Sequence, residues 1–133
     1  MASGQPAYNP LEYHNGTVWP HDTALIAAGL ARYGRHAEVG RISVALFEAA
    51  SHVSYRLPEA FVGYGRRPGH PPVPYPSACS PQAWAAGTPL LLLRALLGLE
   101  PDGDRLASRP VEVDRIGRLA LRGVPGRWGR GDT

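Results

Sequence analysis

The amino-acid sequence predicts an all-α fold, a piece of a larger helical toroid or bundle, on three observations. Apolar residues concentrate in three stretches, 23–33, 39–53 and 83–99, and the first two place them at helical spacing. Only a residue or two separates the first two helices, which predicts an antiparallel helical hairpin. The third stretch is apolar almost all round, so its helix needs more neighbours than this hairpin supplies.

The first helix is expected at about residues 22–33. Asp22 suits its N-cap or first turn, where a carboxylate accepts hydrogen bonds from free amides and opposes the helix dipole. Leu25, Leu30 and Tyr33 lie on one helical stripe. Gly34 then supplies the C-terminal stop.

The second helix is expected at about residues 36–53. Val39, Ile42, Leu46 and Val53 recur at spacings that place them on one face. A polar face remains for solvent, so this helix contributes one apolar side to a core.

The third helix is expected from Ser80 as N-cap, with Pro81 at the first helical position, to about residue 97. Gly98 would end it. Pro89 lies inside this span and lacks an amide donor, so the sequence predicts a kink there.

The remaining segments break regular structure. Residues 1–22 contain Gly, Pro and Asn, and residues 55–80 are rich in Pro and Gly. The second and longer of these segments is expected to be a functional connection. In the tail, Val111, Val113 and Ile116 suggest short strands, and residues 119–129 allow a short terminal β-hairpin. The predicted organisation is therefore a helical part over 1–100 followed by a tail over 101–133.

The composition limits the classes of function that are expected. A hydrophobic fraction of 44% against 19% charged residues indicates a globular chain. All basic residues are scattered arginines, which does not favour a nucleic-acid interface. No signal peptide or membrane span is visible, so we expect a cytoplasmic protein with no membrane partner. The single cysteine, Cys79, excludes a disulfide framework. The histidines lack paired helical spacing, so no metal site is expected, and no cofactor is expected either.

Three segments carry a family resemblance. They are residues 13–27, Tyr-His-Asn-Gly-Thr-Val-Trp-Pro-His-Asp-Thr-Ala-Leu-Ile-Ala, then 56–61, Arg-Leu-Pro-Glu-Ala-Phe, and 74–87, Pro-Tyr-Pro-Ser-Ala-Cys-Ser-Pro-Gln-Ala-Trp-Ala-Ala-Gly. In this order they resemble the C-terminal catalytic region of bacterial amylo-α-1,6-glucosidases, the glycogen-debranching type, over roughly residues 8–100. The resemblance implies a six-hairpin (α/α)6 barrel glycosidase, of which this chain would hold only the C-terminal helices, a partial toroid.

The implied chemistry is hydrolysis of α-glucosidic bonds, with α-1,6 bonds of glycogen-like glucans as the first expectation. Such cleavage uses two carboxyl groups, one that protonates the leaving oxygen and one that activates water. Glu59, in a Leu-Pro-Glu segment among aromatics, is the candidate general base. The competing structural role is an ion pair with Arg56 or Arg67. The general acid would come from an earlier hairpin, so the isolated chain is expected to have little activity.

Other residues are candidates for substrate binding. Trp19 and Trp84 could stack on sugar rings, although core packing explains a buried Trp equally well. Asp22 could bind a sugar hydroxyl while serving the helix start. Further hydroxyl partners are expected among polar residues near these positions: His14, Asn15, His21 and Gln82.

Alternatives remain open at this point. The chain could be a non-catalytic carbohydrate-binding or interaction module derived from a barrel, or part of a related trehalase- or glucoamylase-like hydrolase. A truncated gene product that does not fold stably is a further alternative. The expected partner is an oligo- or polysaccharide α-glucan. If the chain is a fragment of a barrel, the missing N-terminal barrel part is a second expected partner.

Overall fold

A computed structural model describes residues 1–133. Its helices are α1 Pro20–Arg32, α2 His36–Ser51, α3 Ala83–Ala86 and α4 Thr88–Leu97. Two antiparallel hairpins follow, β1 Glu100–Asp102 with β2 Arg105–Ala107, and β3 Val124–Gly126 with β4 Gly129–Gly131. Helices hold 32% of the residues, and the fold is a small mixed α/β one. The expected all-α fold, a partial (α/α)6 toroid, is wrong, because the chain combines its helices with two small antiparallel sheets.

The first two helices form where apolar periodicity predicts them. Helix α1 begins at Pro20, whose missing amide costs nothing in a first turn, and Asp22 lies within that turn rather than at the cap. The Gly34 backbone has a φ of +69°, a left-handed conformation that ends α1 and that glycine adopts without strain. Helix α2 follows after a short connection, with an acid, Glu38, in its first turn.

The prediction of a single third helix with a kink at Pro89 is wrong. The chain forms two helices, and Gly87 is the C-cap of the first, α3. Pro89 is the second residue of α4, where an amide would have no helical partner, so the helix starts there and does not bend. Gln82, not Ser80, caps α3, its side-chain oxygen accepting a hydrogen bond from the Ala85 amide at 3.1 Å.

The tail pairs in two hairpins, and the first was not expected. A two-residue Gly103-Asp104 turn joins β1 to β2, and the Gly103 φ of +55° suits such a turn. Val111, Val113 and Ile116, predicted in strands, lie outside them. The terminal hairpin exists but starts at Val124, later than the expected residues 119–129.

The chain divides into two compact units. The first comprises Met1–Thr23 and Ala45–Thr88, and the second comprises Ala24–Val44 and Pro89–Thr133. In the first unit, an apolar core forms from α2, α3 and the segment between them: Ala50, Leu57, Phe61 and Ala85. In the second unit, Val39 is buried, and α4 buries Leu92 and Leu96. The Leu96 carbonyl also accepts a hydrogen bond from the Val111 amide at 2.7 Å.

Leu92 provides a test of the second core. Its side chain is 0% exposed, so Leu92→Ala removes buried methyl groups and is expected to lower the free energy of unfolding by about 2–5 kcal/mol. Leu90, two residues earlier in α4, is 70% exposed, and Leu90→Ala is expected to change stability by less than about 0.5 kcal/mol. Denaturant unfolding followed by circular dichroism measures both. Equal losses for the two variants would contradict this packing of α4.

Candidate functional site

The first unit is organised around an extended segment, residues 59–63, that bonds to flanking chain on both edges. On one edge the Phe61 amide donates to the Val18 carbonyl, and the Val18 amide donates back to Phe61, both at 2.9 Å. On the other edge the Val62 amide donates to the Val73 carbonyl at 2.8 Å. The segment that the sequence marks as a loop is therefore a central ladder, which we call the Glu59 ladder.

This ladder buries its apolar side chains but leaves Glu59 half-buried. Ala60, Phe61 and Val62 are all buried, as is Leu57 just before them. Glu59 itself is partly exposed in the same run. A carboxylate that is held by rigid backbone yet reaches solvent is suited to a role in binding or proton transfer.

Glu59 makes three hydrogen bonds. Its amide donates to the Cys79 carbonyl at 2.9 Å, and its carboxylate accepts from the Cys79 amide at 3.2 Å. The Tyr13 hydroxyl donates a further hydrogen bond to the carboxylate. Neither Arg56 nor Arg67 pairs with Glu59, so the expected ion-pair alternative is not what holds this side chain.

Aromatic rings gather around Tyr13, and we call this set the Tyr13 cluster: Tyr13, His14, Trp19 and Tyr75. The Tyr13 ring centroid lies 4.9 Å from those of His14 and Trp19, the latter edge-on, and 5.3 Å from that of Tyr75. The Trp19 indole donates to the Thr17 hydroxyl at 2.9 Å. Edge-on and tilted contacts of this kind are the favoured geometries of aromatic pairs, so the cluster is self-stabilising.

The Glu59 ladder positions the Tyr13 cluster next to Glu59. Trp19 follows Val18 on one edge, and Tyr75, whose amide donates to the Ala60 carbonyl at 2.9 Å, lies on the other. Glu59 is therefore bonded to Tyr13, whose ring contacts both Trp19 and Tyr75. Of the predicted site residues, Glu59, Trp19 and His14 are brought together.

A second aromatic contact lies in the same unit. The His21 and Trp84 rings stack at 5.1 Å between centroids with only 10° between their planes. His21 belongs to the first turn of α1, and Trp84, in α3, stays 49% exposed. This pairs two predicted sugar-binding residues with each other, and neither ring is paired with a ring of the Tyr13 cluster.

The other predicted residues have local partners. Gln82 uses its side-chain oxygen to cap α3. The Asn15 amide donates to the Glu12 carboxylate at 2.7 Å. Asp22 lies in the first turn of α1, where its charge favours the helix dipole. None of these three bonds to Glu59.

Two residues that sequence reasoning did not single out complete the site. Tyr13 and the Cys79 amide are the partners of the Glu59 carboxylate. Both lie inside the segments that carry the family resemblance, at residues 13–27 and 74–87. Their contacts with Glu59 depend on backbone pairing between distant segments, which the spacing of residues along the sequence does not reveal.

Comparison with known proteins adds no assignment. No protein-family model matches this sequence, and a search of curated proteins finds no significant relative. No group of three or more His, Cys, Asp or Glu side chains is arranged to hold a metal ion. No helix has the combined length and apolar character that crossing a membrane requires.

The Tyr13–Glu59 bond has a pH signature. Hydrogen bonding to the Glu59 carboxylate, with burial and the carboxylate charge as further causes, raises the pKa of Tyr13 from 10.0 to about 12. A raised pKa in the folded state stabilises the fold below the unfolded value, and this stabilisation is lost as pH rises through about 12. An ultraviolet difference titration of the wild type against Tyr13→Phe isolates this tyrosine.

The titration midpoint of Tyr13 is expected well above that of an ordinary tyrosine, and Glu59→Gln is expected to bring the pKa back towards it. Glu59→Gln removes the negative charge while keeping a hydrogen-bond acceptor of similar size. An ordinary midpoint in the wild type, or one unmoved by Glu59→Gln, would contradict the bond.

Proposed function

We propose that this chain carries the general base of a glycoside hydrolase that acts on α-glucosidic bonds, with the α-1,6 bonds of glycogen-like glucans as the first candidates. The observation that carries the proposal is the half-buried Glu59 carboxylate bonded to Tyr13 within a cluster of aromatic rings. Aromatic faces next to a carboxylate match a substrate with apolar C–H faces and a reacting polar centre.

The contacts of Glu59 suit a base. The Cys79 amide and the Tyr13 hydroxyl both donate to its carboxylate and fix its direction. A carboxylate so oriented can take a proton from a water molecule that attacks the anomeric carbon, as in inverting hydrolysis. Trp19, or Tyr75 across the cluster, offers a ring to the C–H face of the glucose unit.

The general acid is assigned to a companion segment or chain, as the family resemblance implies. An inverting pair has its two carboxyl groups about 6.5–9.5 Å apart. No Asp or Glu is in hydrogen-bond or ion-pair contact with Glu59. The free thiol of Cys79 fits a reducing compartment, and we propose a cytoplasmic location on that ground.

The same observation supports a second candidate, a carbohydrate-binding module without hydrolysis. With one carboxylate in the cluster, Glu59 could accept hydrogen bonds from sugar hydroxyls while Trp19 stacks on the ring. Both candidates predict sugar binding, and they differ only in whether Glu59 moves a proton.

An activated substrate separates them. Fluoride leaves α-glucosyl fluoride without being protonated, so a site with a base and no acid can still hydrolyse it. We expect the purified chain to release fluoride from it above the spontaneous rate, with β-glucose as the first product, and to release no glucose from panose. Binding of panose without fluoride release would favour the module, and neither binding nor release would overturn both.

A further inference from the structure

Helix α1 turns its largest apolar side chains towards solvent. Leu25 is 51% exposed, Ile26 58% and Tyr33 86%, whereas Ala24 and Ala27 are fully buried. With 3.6 residues per turn, the two alanines lie on one side of the helix and the three large residues lie on the other. Leu25 and Tyr33, which the sequence places on one apolar stripe, therefore do not form the core side of α1.

Gly29 leaves a gap in the middle of this outward side. A Cβ atom on Gly29 would meet no heavy atom of the surrounding chain within 4 Å, so the helix surface is open there. Tyr33 extends the outward side one residue beyond α1, because its amide donates to the Gly29 carbonyl at 3.3 Å. Asp22 lies at the other end, in the first turn, and is also exposed. We call these five residues the α1 stripe: Asp22, Leu25, Ile26, Gly29 and Tyr33.

The α1 stripe is complementary to an antiparallel copy of itself. Ile26 and Gly29 are equally far from the midpoint between residues 27 and 28, and so are Asp22 and Tyr33. A two-fold axis through that midpoint sets each Ile26 over the gap at Gly29 of the other copy. The same axis sets each Asp22 opposite Tyr33 of the other copy, whose hydroxyl can donate to the carboxylate.

The charges of α1 favour the antiparallel direction over the parallel one. The helix carries an exposed acid in its first turn, Asp22, and an exposed base in its last turn, Arg32. An antiparallel pair brings the acid of each copy next to the base of the other at both ends. A parallel pair brings like charges together, which is unfavourable.

We propose that the α1 stripe is the interface of a homodimer in which two copies of α1 pack antiparallel. The occupant of this surface is a second copy of the chain, and the inference is independent of the role of Glu59. Three large side chains from each copy make a contact at the small end of specific interfaces. The dimer is therefore weak, with a dissociation constant of about 10–100 μM.

Sedimentation equilibrium over chain concentrations of about 5–500 μM measures this association. We expect the wild type to pass from monomer to dimer. Ile26→Glu should weaken the association at least about tenfold, because it places a charge against an apolar surface. Leu11 is 57% exposed and lies outside α1, so Leu11→Glu makes the same change as a control and should leave the dissociation constant unaltered. A wild type that stays monomeric throughout, or equal losses for the two variants, overturns the proposal.

A third variant separates loss of association from loss of folding. Gly29→Leu raises the helix propensity, and its side chain enters open space in the monomer, so the chain should be at least as stable as the wild type. The new side chain fills the gap that receives Ile26 of the other copy, and association should weaken at least about tenfold. A dimer that forms as tightly as that of the wild type contradicts this packing.

Disulfide trapping tests the direction of the two helices. In a Cys79→Ser background, a mixture of Asp22→Cys and Tyr33→Cys chains should form mixed disulfides, because the two positions face each other across the axis. Neither variant alone should form a disulfide dimer, since identical positions then lie roughly 16 Å apart along the helix. Disulfides between identical positions, or none in the mixture at concentrations where the wild type is dimeric, overturn the antiparallel arrangement.

Discussion

Replacing Glu59 by Gln is expected to lower fluoride release from α-glucosyl fluoride by about two to four orders of magnitude, the contribution of a positioned general base. Gln keeps the size of the side chain and can still accept the hydrogen bonds of Tyr13 and the Cys79 amide. It cannot accept a proton from water at neutral pH. The variant should therefore retain panose binding within about twofold while losing turnover. Fluoride-electrode rates and calorimetry measure the two effects separately.

Glu100→Gln is the matched control for this experiment. Glu100 lies in β1 and pairs with Arg94 on the surface, so the same chemical change there should leave fluoride release unaltered. A Glu59→Gln chain that turns over at the wild-type rate would contradict the base assignment. Loss of panose binding along with rate would show that Glu59 binds sugar rather than activating water.

Replacing Gly63 by Ala is expected to destabilise the chain by about 3 kcal/mol, near the upper end for overpacking. A Cβ atom at Gly63 would overlap the Gly16 carbonyl oxygen and lie 2.9 Å from the Tyr8 hydroxyl. Backbone cannot yield as a flexible side chain can, so the segment that carries Tyr13 must move away from the ladder. The Tyr13 hydroxyl would then lose the Glu59 carboxylate, and the pKa of Tyr13 should fall towards its ordinary value.

Gly65→Ala provides the comparison, since a Cβ atom there meets nothing within 4 Å. Its unfolding free energy should stay within about 0.5 kcal/mol of the wild type, and the Tyr13 titration should not change. Equal denaturation midpoints for Gly63→Ala and Gly65→Ala would disprove the close approach of Gly63 to Gly16.

Local signals in the sequence predict α1 and α2 well. Apolar spacing of three and four residues, an acid in each first turn and a glycine after α1 act within a few residues of one another. The sequence does not indicate the division of the third helix, because apolar residues continue on both sides of Pro89 and favour an interior position for it. In the structure a one-turn helix ends at Gly87, which places Pro89 at a start. The first tail hairpin has a sequence signal, the Gly103-Asp104 pair at its turn.

The Glu59 ladder could not be predicted in this way, whereas the error in fold class comes from the two small sheets of the tail. Its bonds join Phe61 to Val18 and Val62 to Val73, between segments that lack any strand alternation. The prolines and glycines of these segments correctly indicate that they are not helical. They do not indicate that the backbone forms hydrogen bonds between the segments. Glu59 and Trp19 can be predicted as site residues because carboxylates and indoles are common in sugar sites. Tyr13 cannot, because its role depends on the fold that brings it to Glu59.

The backbone path that carries Glu59 is specified by main-chain groups, and the Tyr13 hydroxyl then directs its carboxylate. Successive amides and carbonyls of residues 59–63 engage alternate edges, with the Gly63 amide reaching the Pro10 carbonyl at 2.9 Å. Phe61 can thus be replaced by another apolar residue of similar volume without redirecting the Glu59 carboxylate, because its amide and carbonyl, and not its side chain, make the bonds to Val18. Evolutionary constraint should instead fall on Glu59 and on Gly63, where the chains approach too closely for any side chain.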